Sequence, residues 1–278
     1  MNGLDVRESG TPGSPAIVFL HGVGTSGAMW APHIAGLASH HCLAPDLPGF
    51  GRSNRLPWTS RTDVADRIAA LIEARIPSGR AHVVGLSLGG AVAHTLLARR
   101  ADLLDRVVID GCGALPWRGT LVLKAAVAAV SPVLHTRPVI AAIGGALALD
   151  EATRADLRAA SRRAFRRGFA DANDIVISRD EITAECATLL VAGEHETRPP
   201  VRASNAALAA LLPNATARYA PGVGHGWIGQ QQDLHLRMVT AWVEDGDLPS
   251  ELRPETIPWD PAAVQRLLDY QDAPPRTG

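Results

Sequence analysis

Ala81-His82-Val83-Val84-Gly85-Leu86-Ser87-Leu88-Gly89-Gly90-Ala91-Val92-Ala93-His94-Thr95-Leu96-Leu97 decides the reading of this chain. The first four residues form a short apolar run carrying two valines, a residue type that favours strands. From Gly90 to Arg100 small and apolar residues recur at helical spacing. Between the two lies G-x-S-x-G, Gly85 to Gly89. A strand that turns directly into a helix at a serine needs very small neighbours, because the two elements approach closely. The serine itself is forced into a strained backbone conformation, with its oxygen standing clear at the sheet edge. The new helix offers its first, unpaired N–H groups beside that oxygen. The bland alternative is a tight turn that merely needs small residues. The strand before and the helix after favour a nucleophile, Ser87.

Working outward, similar short runs occur at residues 16–20, 41–45, 106–110, 187–192 and, more weakly, 216–220. Each is bounded by Gly, Pro or polar residues, the look of parallel strands covered on both faces. Helical patterns lie at 61–75, 90–100, 200–212 and 232–244. Strand alternating with helix predicts an α/β fold with a doubly wound, mostly parallel sheet. One segment interrupts the alternation. Residues 114–182 read as helices at 119–130, 137–149 and 151–168, with Pro116, Pro132 and Pro138 as interruptions. The division is therefore a core at 1–113 and 183–245, a helical lid at 114–182 before the last two strands, and a proline-rich tail at 246–278. The lid should cover the C-terminal sheet edge, where open α/β sheets bind ligands. The tail should pack on the core with one short helix near 260–270.

Bulk properties narrow the function. The chain has 278 residues, 46% of them hydrophobic, enough for a substantial core. Its 27 basic and 28 acidic residues leave a net charge of −1, with no field to hold nucleic acid or an acidic membrane. Cys42, Cys112 and Cys186 lie far apart and form no C-x-x-C pair, which argues against zinc and redox sites and for reduced thiols. The N-terminus lacks the basic and apolar regions of a secretory signal. The longest apolar stretch, Leu121 to Val130, contains Lys124 and is too short to span a bilayer. These features predict a cytoplasmic protein acting on a small molecule. They say nothing of oligomeric state.

Four motifs together resemble the α/β-hydrolase superfamily: the Ser87 turn, His21-Gly22-Val23-Gly24, Asp46-Leu-Pro-Gly-Phe-Gly-Arg-Ser53, and Gly222-Val223-Gly224-His225-Gly226. The resemblance covers nearly all of residues 16–244. It implies a lid-bearing serine hydrolase whose triad follows the order serine, acid, histidine. Of the ten histidines, His225 sits in a Gly-rich loop after the last strand and is the implied base. His21 is implied to shape the oxyanion loop. The implied acid lies after the strand ending at Gly193, where the family usually carries aspartate three residues on; this chain has Glu196, 29 residues before His225. Asp110, at the end of an earlier strand, and Glu194 stay open as alternative acids. The backbone N–H groups of Val23 and Leu88 are the implied oxyanion donors. Acyl transfer by such a set requires neither metal nor cofactor.

The expected activity is hydrolysis of a small apolar carboxylic ester, lactone or thioester through an acyl-enzyme. The same residues would also serve carbon–carbon bond hydrolysis of a diketone-like metabolite, and a non-catalytic, ligand-binding version of the fold is a further alternative. Trp117, Leu121, Leu123, Val127, Val133, Leu134 and Ile140 are candidates either for the pocket roof or for packing the lid on the core. Six arginines between Arg154 and Arg167 read as a solvated helix face, or as attraction for an acidic substrate.

Overall fold

Valine, isoleucine and leucine runs become strands because branched side chains pack well on a pleated surface buried on both faces. In the computed structural model, which describes residues 3–116, 119–134, 136–146, 151–196 and 200–272, these runs form a single sheet. Its strands are β1 (Val6–Ser9), β2 (Ala16–Leu20), β3 (His41–Pro45), β4 (Ala81–Leu86), β5 (Leu104–Asp110), β6 (Ala187–Gly193), β7 (Ala215–Ala220) and β8 (Arg253–Pro254). The order across the sheet is β1-β3-β2-β4-β5-β6-β7-β8. β2 to β7 pair in parallel, and the two edge strands run antiparallel, β1 against β3 and β8 against β7. The α/β architecture is as expected. Three strands, not two, follow the helical insertion, because the two-residue β8 caps the sheet edge.

The helices are α1 (Ala31–Gly36), α2 (Arg61–Arg75), α3 (Leu88–Arg100), α4 (Thr120–Leu134), α5 (Arg137–Ala146), α6 (Glu151–Ala159), α7 (Arg162–Asn173), α8 (Arg179–Ile182), α9 (Pro200–Leu211), α10 (Trp227–Gln230), α11 (Gln232–Val243) and α12 (Pro261–Asp272). Strand side chains alternate between the two sheet faces. Val18, Leu20, Val83, Val107 and Ile109 join α2, α3, α9 and α12 in one core. Ile17, Phe19, Val84, Val108 and Val191 join Trp30, Trp227 and Met238 of the opposite side in a second. Covering both faces leaves the ends of the parallel strands as the place where loops converge.

Helices α4 to α8 make up the insertion between β5 and β6. Pro132 does not interrupt α4, which runs on to Leu134. A proline removes one N–H from the helix ladder, and here the Ser131 hydroxyl bonds the Ala128 carbonyl at 3.0 Å in its place. Pro138 stands in the first turn of α5, where a missing N–H costs nothing. The predicted helix 151–168 is two helices, since Ser161 leaves helical geometry and caps α7 by accepting from Ala164 N–H. Trp117, His135 and the 147–149 end of a predicted helix lie outside the described residues.

The insertion sits on the loops that follow β2 and β3. Ser26 Oγ donates to Asp156 of α6 at 2.5 Å, and Ser161 N–H donates to Gly49 O at 2.8 Å. Asp171 of α7 accepts from Trp58 Nε1 at 2.7 Å and Arg61 N at 2.9 Å. A buried His94–Glu181 pair ties α8 to α3. Ile140 is buried, whereas Leu121 is 76% exposed and forms neither roof nor packing. Arg158, Arg162, Arg163, Arg166 and Arg167 are exposed, a solvated face. The tail is anchored by Glu255, whose carboxylate takes both arms of the Arg202 guanidinium at 2.8 and 2.9 Å, and by Val264 and Leu268, which join the core. Cys42, Cys112 and Cys186 form no disulfide.

Candidate active site

Ser87 directly follows β4 and immediately precedes α3, with φ 53° and ψ −105°. A non-glycine residue there carries strain on the order of 1–3 kcal/mol, held only because the surroundings over-determine it. The surroundings are visible. Ser87 N–H donates to Asp110 O at 2.8 Å, and its own carbonyl accepts from Ala91 at 2.9 Å. A Cβ on Gly89 would stand 2.1 Å from Leu20 O, and one on Gly85 would stand 2.4 Å from Gly89 O. Two glycines therefore permit the approach that the G-x-S-x-G spacing predicts.

His225 lies in the loop between β7 and α10, beside the end of β4. Its Nε2 is 3.0 Å from Ser87 Oγ. Its Nδ1 is 3.2 and 3.1 Å from the two oxygens of Glu196. Glu196 follows the β6 strand end, and its side chain is 2% exposed while that of His225 is 35% exposed. The extra methylene of glutamate is thus accommodated. Gly111 helps to make the space, because a Cβ there would lie 2.9 Å from both Cε1 and Nδ1 of His225. The ring stands where a hydroxyl proton can be taken on one side and an N–H held on the other.

The two alternative acids are placed elsewhere. Glu194 turns to the His225 loop from outside, accepting from Gly222 N–H at 2.8 Å. Asp110 is fully buried and accepts from Trp227 Nε1 at 2.9 Å, with its second oxygen 3.4 Å from His235 Nε2. Burial pushes its pKa up to about 7.

His21 is also buried. Its Nε2 accepts from Leu47 N–H at 2.9 Å, so Nδ1 carries the proton toward Gly22 O at 2.8 Å. Burial lowers its pKa to about 4, which keeps it neutral. It fixes the loop 21–24 against the turn, where a Cβ on Gly22 would lie 3.7 Å from Ser87 Cβ. Leu88 opens α3, so its N–H has no partner within the helix. Val23 lies on the facing loop, packed against the core. Gly111, Trp227 and the Asp110 contacts were absent from the sequence reading. A glycine next to a strand end, and a tryptophan two residues past the histidine, were the available signals.

A sequence profile of the alpha/beta hydrolase family matches residues 17–270. The chain therefore belongs to the alpha/beta hydrolase family. It is 28% identical over 267 residues to an AB hydrolase superfamily protein of Gibberella zeae, covering 90% of this chain and 87% of that protein. It is 29% identical over 115 residues to 3-oxoadipate enol-lactonase 1 of Acinetobacter baylyi, covering 41% of this chain and 43% of that one. In three dimensions it resembles a hydrolase from Pseudomonas aeruginosa, with a TM-score of 0.74, 23% identity, and coverage of 86% and 94% of the two chains. Family and relatives indicate a hydrolase. No helix among the described residues is long and apolar enough to cross a membrane.

Proposed function

We propose that the protein is a serine-dependent hydrolase of small, apolar carboxylic esters, lactones or thioesters. The observation that carries this reading is the hydrogen-bonded line Ser87 Oγ, His225, Glu196, with links of 3.0 Å and 3.1 Å. His225 takes the Ser87 proton as the oxygen attacks the carbonyl carbon. Glu196 holds Nδ1–H and stabilises the imidazolium that forms. The N–H groups of Leu88 and Val23 receive the oxyanion, each donor contributing roughly 3 kcal/mol in the transition state. His225 then gives its proton to the departing alcohol or thiol, leaving an acyl-serine. Water, deprotonated by the same ring, releases the acid and restores Ser87.

The insertion acts as a lid over this site. Leu157 and Phe165 close on Gly24, the residue after Val23, so the wall near the oxyanion donors is apolar. An apolar wall favours an apolar acyl or alcohol group. The test is a panel of p-nitrophenyl esters of rising chain length, with a vinylogous diketone alongside, assayed on wild type and Ser87→Ala. Ester turnover that disappears in Ser87→Ala supports the reading. Turnover of the diketone alone would move the activity to carbon–carbon cleavage. Folded wild-type protein inert toward the whole panel would point to a binding role.

A further inference from the structure

Asp110 is close to both proposed catalytic groups yet bonds neither side chain. Its backbone carbonyl takes the Ser87 N–H at 2.8 Å, the last link between β4 and β5 before the turn. Its carboxylate oxygen Oδ1 takes the indole N–H of Trp227 at 2.9 Å. Trp227 is fully buried, stands two residues after His225, and donates its own backbone N–H to Gly224 at 3.1 Å. The indole thus pins one end of the loop that carries the histidine. We infer that Asp110 is a positioning residue: through its carbonyl it fixes the Ser87 turn, and through Trp227 it fixes the His225 loop, so that one residue sets the distance between nucleophile and base. The inference rests on the reading of Ser87 and His225 given above.

The surroundings show how the hold is maintained. Behind Oδ2 lies His235 of α11 at 3.4 Å, and His235 Nδ1 is 2.8 Å from His33 Nε2 of α1. Burial lowers both imidazoles to about 3, so both stay neutral. Neutral His235 stands beside Asp110 Oδ2 without a hydrogen bond between the two atoms, so the Trp227 indole is the side-chain group that holds the carboxyl. No cation faces Asp110 from α11 or α1. The remaining charged neighbours are on the catalytic loops: Glu196 disfavours ionised Asp110 and protonated His225 favours it. The Trp227 bond survives either state, since a protonated carboxyl keeps an accepting oxygen.

Misplacement of a reacting group by about 1 Å can cost on the order of a hundredfold. The experiment uses the full chain with p-nitrophenyl butyrate, and kcat is counted per Ser87 titrated by a fluorophosphonate. Counting in this way removes any loss that comes only from unfolded protein. Trp227→Phe should lower kcat at least about tenfold with KM little changed. Asp110→Ala should do the same, and Asp110→Asn should recover most of that loss, because its amide oxygen still accepts from the indole. The double variant Asp110→Ala, Trp227→Phe should be no slower than Asp110→Ala, since both cut one bond. If Asp110→Ala does not fold, Trp227→Phe decides alone. Trp227→Phe with kcat per titrated serine within about threefold of wild type overturns the inference, as does a double variant whose losses multiply. Ester turnover surviving in Ser87→Ala would instead overturn the proposed function, whatever Trp227→Phe does.

Discussion

Replacing Glu196 by glutamine changes one oxygen to an amide and removes one charge. In the native geometry that carboxylate lies 3.1 Å from His225 Nδ1, with its side chain 2% exposed. Two unit charges about 4 Å apart interact by roughly 4 kcal/mol at an effective dielectric constant of 20. The imidazolium charge is spread over the ring, and the His225 side chain is 35% exposed, so water screens part of the effect. A net transition-state loss of about 2–3 kcal/mol remains, close to a hundredfold in kcat. The glutamine amide can also turn its NH2 toward Nδ1, which favours the wrong tautomer and adds to the loss. The assay is steady-state hydrolysis of p-nitrophenyl butyrate by Glu196→Gln, with Tm measured on the same preparation. A loss below tenfold in protein of unchanged Tm refutes the assignment of Glu196 as the acid. A matching large loss in Glu194→Gln would refute it equally, because Glu194 bonds Gly222 and not the ring.

Three other outcomes follow from the same geometry. Gly111→Ala places a Cβ 2.9 Å from the His225 ring at a residue with φ +61°, so kcat should fall more than tenfold, and a wild-type rate would count against the crowding of that ring. Asp110→Asn should gain stability over wild type as pH rises from about 4 to 7. The folded carboxyl keeps its proton up to about 7 while the unfolded one, at the ordinary aspartate value of 3.8, releases it. Each pH unit in that window therefore destabilises wild type by up to about 1.4 kcal/mol, a slope that the amide lacks. Parallel Tm-against-pH curves for the two proteins would contradict this. Glu181→Ala should lower stability by about 3 kcal/mol in chemical unfolding, because it strands buried His94 without its partner.

The site and the fold were legible to different depths. The Ser87 turn was readable because its physics demands glycine at fixed offsets, and Gly85 and Gly89 meet backbone oxygens in the structure. The central strands were readable because burial on both faces leaves continuous apolar runs. β1 and β8 were not. Val6–Ser9 is half-exposed and carries Arg7 and Glu8, and Arg253–Pro254 is two exposed residues, so neither has a pattern to detect. Both are strands by backbone pairing alone. The break between α6 and α7 was missed because arginines and alanines continue across it, and only the Ser161 cap and its bond to Gly49 mark the boundary. The three candidate acids could not be separated by position along the chain. Their separation is spatial: Glu196 meets the ring, Glu194 meets Gly222, and Asp110 meets Trp227.

The central claim is that Ser87, activated by His225, is the nucleophile. Its most direct test is reaction of the folded protein with a fluorophosphonate, followed by mass analysis of the intact chain and its peptides. One adduct per chain, located on Ser87, slowed in His225→Ala and missing in Ser87→Ala, is the predicted result. Folded wild-type protein that takes no label, or a Ser87→Ala protein labelled as fast as wild type, would contradict the account.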